Sequence, residues 1–225
     1  MKEIRTTFYD LRGYFIPGSI MLWALLELLD LTGYSPSTRV ISTMSPSMRA
    51  VLFVVIAYAI GHGLHAIANF TIDKLPFASY PPKDYFDGKY QEDFPPDIAD
   101  SLFMAVAGML SIQNPVAANA EKIIKSTYWP CFQYVMNCQN VETENFLGLN
   151  GFYRGMTAAM LVTTVLYAGA FLMFCRGQLG IIVLCALLAG VLFLTRARRF
   201  NYYLAKTVYA NFLHLYNEKK QDSLK

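Results

Sequence analysis

Four polar side chains interrupt an otherwise apolar run between Val51 and Asp73, namely Tyr58, His62, His65 and Asn69. Their i, i+4, i+7, i+11 spacing places them on one stripe of an α-helix. A phenol, two imidazoles and an amide on one edge could relay protons, hold an ion or hydrogen-bond a ligand. Trp23, Glu27, Asp30 and Tyr34 repeat the spacing in the apolar run from Gly13 to Leu31. With the outer ends of the two runs level near Leu31 and Ala50, Glu27 comes within side-chain reach of Tyr58. One reading makes Glu27, Tyr58, His62 and His65 the lining of a proton or ion path or of a ligand cavity. The other makes the same groups interhelical hydrogen bonds that fix register. Because polar groups are costly against hydrocarbon, both readings turn the polar edges inward.

Other chemistries find no residues to carry them. His62 and His65 share a helix face, but a zinc site wants a third protein ligand, His214 lies far downstream, and no HExxH element exists. Neither metal nor cofactor is expected. The four cysteines, Cys131, Cys138, Cys175 and Cys185, form no CxxC pair, so free thiols are expected. Asp84, Asp87, Glu92 and Asp93 lack the spacing of a calcium loop and read as a solvated acidic segment. Without a nucleophile elbow, a Walker loop or a dinucleotide fingerprint, no enzyme is expected.

The elements that carry these residues are those of a membrane protein. Of the 225 residues, 55% are hydrophobic and only 16% are charged, where a soluble chain would have about a quarter charged. Four apolar stretches, 13–31, 51–73, 151–175 and 177–195, each reach the roughly 20 residues that cross a bilayer. Glu27 and Asp30, with no small-residue cleavage site after them, make the first an uncleaved helix rather than a signal peptide. Pro17 suits its first turn. Residues 32–49 read as an irregular loop, and the Pro, Tyr and Asp-rich stretch 74–96 as an extended one. Asp97 caps a helix to about Ile112, Pro115 starts another that Pro130 should kink or stop, and helix resumes from Cys131 to about Asn150. Arg176 alone joins the last two crossings. Phe200, Leu204, Val208, Phe212 and Leu215 place a helix in the tail, against either the membrane surface or the 74–150 insert.

The predicted fold is therefore all-α and polytopic. It comprises a terminus (1–12), two crossings (13–73), a helical insert (74–150), two more crossings (151–195) and a helical tail (196–225). Lys2, Arg5 and Arg12 precede the first crossing, and Arg196, Arg198 and Arg199 follow the last. The loops on the other side carry Arg39, Arg49 and Arg176, so the excess places both termini and the insert in the cytoplasm. Acids outnumber lysines in the insert while the tail is basic, which favours their docking within about 8 Å. Basic residues are not interleaved with aromatics, so no nucleic-acid partner is expected. Ala57, Gly61 and Gly63, with Ala186 and Gly190, have the small-residue spacing of close helix packing, within one chain or between copies. Arg154 reads as an interface anchor that snorkels toward phosphates, or as a partner of Glu142 or Glu144.

Tyr58 with Gly61-His62, the downstream Asp73 and Tyr80-Pro81, and the earlier Tyr14-x-x-Pro17-Gly18 resemble a family of uncharacterised bacterial four-helix membrane proteins. The likeness covers roughly the first third of the chain, and Arg154 after Phe152-Tyr153 joins the pattern. It implies the bacterial inner membrane and no particular activity. The expected function is a non-enzymatic component, a sensor, effector or anchor of a defence or stress system, that homo-oligomerises in the bilayer and engages a cytoplasmic protein. The alternative is a small channel or transporter whose pore uses the stripe of the second helix.

Overall fold

The computed structural model describes residues 10–33, 43–72, 94–109, 128–138 and 140–222. They form six helices in chain order: α1 (Leu11–Leu31), α2 (Pro46–Thr71), α3 (Pro96–Met109), α4 (Tyr128–Asn137), α5 (Val141–Phe174) and α6 (Gly177–Asp222). No strand occurs among the described residues. Helices α1, α2, α5 and α6 are long and apolar enough to cross a membrane. The chain divides into two compact units, one from residues 1–79 and 148–198, the other from 80–147 and 199–225. Expectations for the loop after Asp73, for the helix begun at Pro115 and for the 1–9 terminus lie outside the described residues.

Local chemistry corrects several predicted boundaries. α1 begins at Leu11 rather than Gly13, and its α-helical part begins at Ile16, with Pro17 in the first α-helical turn as expected. The helix opens as a π-helix over Leu11–Phe15, with the Ile16 N–H bonded to the Leu11 carbonyl. That wider turn comes just where a proline removes a donor and crowds the preceding carbonyl. α2 starts at Pro46, inside the predicted loop, because the Ser45 Oγ accepts from the Met48 N–H at 3.3 Å and Pro46 takes the first helical position. Asp97 is not the cap of α3. Pro96 leads that helix, the Pro95 carbonyl accepts from Ile98 and Ala99, and Asp97 sits in the first turn, where an acid suits the helix dipole. Pro130 does not end a helix, since α4 continues through it to Asn137. The helix predicted over 131–150 is two, α4 ending at Asn137 and α5 starting at Val141, where Asn140 Oδ1 accepts from the Thr143 N–H at 2.9 Å.

In the first unit, α1 and α2 meet backbone to backbone. A Cβ on Gly18 would lie 1.8 Å from the Ala57 carbonyl oxygen, and one on Gly61 would lie 2.0 Å from that of Tyr14. The small residues of α2 therefore pack within the chain. Gly63, one of the predicted set, has nothing within 4 Å of its missing Cβ. Gly155 of α5 faces Pro17 and the Gly13 carbonyl, and Gly190 of α6 faces Met160. Met21, Leu64, Ala68, Ile72, Ala158 and Ala159 form the core beside them, and Tyr167, Ala170 and Leu179 form a second cluster. α1 ends on Gly33, whose φ of 75° gives the left-handed turn that glycine adopts without penalty. The Arg176 guanidinium donates to the Leu31 carbonyl, so the α5–α6 turn caps the end of α1.

The second unit has a dry core of its own. Ala99, Leu102 and Val106 of α3 and Tyr128, Cys131 and Val135 of α4 pack against Leu204, Ala205, Val208, Tyr209 and Phe212 of α6. The tail helix thus lies against the insert, the second of the two places open to it. Asn211 Nδ2 donates to Asn140 Oδ1 at 3.0 Å and to Thr143 Oγ1 at 3.2 Å, tying α6 to the start of α5. Burial pushes the Cys131 thiol up to about 12 and raises Tyr128 as well.

Candidate functional site

The predicted stripe divides between two neighbourhoods, and Glu27 belongs to a third. Tyr58, His62 and His65 gather around Tyr14 of α1. The His62 ring stacks on Tyr14 at 4.0 Å with 18° between planes, and His65 meets the same ring edge-on at 4.9 Å. Tyr58 stands edge-on to His62 at 4.7 Å and to Tyr14 at 6.1 Å. Asn69, two turns further, accepts through Oδ1 from Arg154 Nη2 at 2.7 Å. Arg154 thus reaches α2, an alternative to both roles read from the sequence. No group of three metal-ligating side chains exists among the described residues.

The register explains why Glu27 is elsewhere. With Gly18 against Ala57 and Gly61 against Tyr14, Glu27 is level with Met48, about 15 Å along the helices from Tyr58. The predicted proximity to Tyr58 fails because α2 starts earlier than the apolar run suggests, which shifts the pairing by six residues. Glu27 instead lines an open groove with Ser19, Ile20, Trp23, Ala24, Phe53, Thr163, Tyr167 and Ile182, of about 540 Å³.

Within a single chain the polar edges lie at the surface. Tyr58, His62, Asn69 and Glu27 are exposed, and His65 is half-buried. Small residues occupy the α1–α2 contact, where Ala57 is fully buried, so the polar groups are displaced to its flank. The Tyr14 cluster lies level with the first turns of α1, at one end of the helix pair. Such a cluster has the makings of an anchoring site, with polar tips and apolar ring faces.

Periodicity on α2 alone could not find Tyr14, Gly18 or Tyr167, since each belongs to another helix. Tyr14, Pro17 and Gly18 did appear in the family-like motif, and the structure brings them together with Gly61, His62 and Gly155. Tyr80 and Pro81 lie outside the described residues. Comparison with family models, curated proteins and solved structures finds no match for this chain.

Proposed function

We propose that the chain is a multi-pass protein of a bacterial inner membrane, whose first unit crosses the bilayer as an anchor and whose second presents a folded cytoplasmic surface to a protein partner. It acts without catalysis, as an oligomeric sensor or effector in a defence or stress response. One observation carries the membrane part. Among the described residues, the exposed large hydrophobic ones of the second unit are Ile98, Met104, Trp129 and Val141, and the others, from Leu11 to Leu192, belong to the first. A surface of Val51, Val54, Val55, Leu172, Ile181, Leu184, Leu188 and Leu192 is a lipid-facing one. Trp129, 65% exposed, and Met104, 60% exposed, are the apolar groups the second unit offers a partner. In this orientation the Tyr14, Tyr58, His62 and His65 cluster sits at the inner headgroup level, where amphipathic rings are at home.

In the channel alternative, His62, which faces outward from one chain, would line a path between the copies of the oligomer.

Native cysteines supply the test. In spheroplasts of single-cysteine variants, a membrane-impermeant maleimide should modify Cys175 directly and Cys138 only after lysis. Cys185, within α6, should stay protected by lipid, and Cys131 by burial. Labelling of both Cys138 and Cys175 without lysis refutes the crossing, and the reverse order refutes the orientation.

A further inference from the structure

We infer that the groove between α1, α2, α5 and α6 binds a hydrophobic cation, an ammonium carried directly on one apolar tail, with the charge on Glu27 and Trp23 and the tail running toward Ser19. This rests on the membrane reading above. The walls are apolar, and their other polar groups are already engaged: Ser19 Oγ donates to Phe15 O at 2.8 Å, Thr163 Oγ1 to Met21 Sδ at 3.6 Å, and Tyr167 OH to Ala24 O at 2.8 Å. Among the lining residues, Glu27 carries the one carboxylate, and it has acceptor oxygens to offer. Trp23 is 69% exposed and one turn below Glu27 on the same face, so an indole π-face accompanies the carboxylate. Anion and aromatic face together suit an ammonium group.

Size and order along the groove select the occupant. From Ser19 to Glu27 is about 12 Å along the helix, a length that a single alkyl chain spans. The 540 Å³ present suits a flexible chain, within the usual range of small-molecule sites. A zwitterionic phospholipid fits poorly. Its ammonium lies outside its phosphate, whereas here Arg176, bonded to Leu31, is about one turn outside Glu27. A lipid seated by Arg176 would hold its amine away from the carboxylate.

Trp23 is its own reporter. The chain has two tryptophans, so Trp129→Phe leaves Trp23 as the sole indole, excited selectively at wavelengths that tyrosine does not absorb. In nanodiscs, dodecyltrimethylammonium should change Trp23 emission saturably, while dodecanol and laurate should not. Glu27→Gln should weaken the apparent affinity about tenfold or more, and Glu27→Asp should retain most of it. An equal response in Glu27→Gln, or an equal response to dodecanol, overturns the proposal. So does Glu27-dependent quenching by brominated phosphatidylethanolamine over brominated phosphatidylglycerol, which would make the occupant a lipid. Quenching of Trp23 by both lipids alike, with no saturable ammonium response, sinks the site and spares the membrane reading. No quenching by either lipid sinks both.

Discussion

Cys175 holds a φ of 50°, the one positive value outside glycine among the described residues. A Cβ in that region crowds the following carbonyl, at about 1–2 kcal/mol. Cys175→Gly should therefore stabilise the α5–α6 turn by about 0.5–1 kcal/mol, offset in part by the greater freedom of glycine in the unfolded chain. The check is the thermal midpoint of purified protein in detergent. Cys131 makes an opposite kind of statement. Its folded value of about 12 exceeds the unfolded 9.0, so the folded state binds a proton that the unfolded state releases. The associated stability is complete below pH 9 and is lost as pH rises toward 12. Cys131→Ser or →Ala should flatten that part of an alkaline unfolding curve followed by Tyr and Trp absorbance. At this scale the sequence was informative about residue type and blind to pairing. It showed that His62 and Glu27 were polar groups in apolar runs, yet their neighbours, Tyr14 and Tyr167, lie on other helices.

Between helices, a few missing side chains decide the packing. Gly18 and Gly61 let α1 and α2 approach until no Cβ fits, whereas Gly63 faces open space. Gly61→Leu should thus separate the pair, at about 1–3 kcal/mol for an overpacked contact that can partly relax, while Gly63→Leu should be tolerated. Cysteine cross-linking between α1 and α2, with thermal stability in detergent, separates the two outcomes. Small-residue spacing in the sequence identified Gly61 and Ala57 but grouped Gly63 with them, because spacing lacks a partner's position. The run lengths revealed four helices, and capping chemistry was readable at Ser45-Pro46, though the apolar run beginning at Val51 drew the boundary away from it. Pro130 misled for a related reason. Proline is as comfortable in a first turn as it is disruptive in an interior, and Ser126-Thr127 just before Tyr128 are residues of the N-cap type that would have pointed to the first.

For the whole molecule, the contrast between an apolar exterior on one unit and an apolar interior in the other was visible as composition, whereas the tail's place in the second core was one of two options. The anchor reading predicts that liposomes reconstituted with the full chain show the proton flux of empty ones, measured with an entrapped pH dye. A flux lost in His62→Phe would restore the channel. The seating of Gly18 on Ala57 and of Gly61 on Tyr14 has one more consequence. Everything needed for that seating is encoded before residue 73, so the first pair of helices can zip together while the ribosome is still translating the rest. Gly155 comes later in the chain, and its contacts with Gly13 and Pro17 would let the second hairpin dock on a first one already paired.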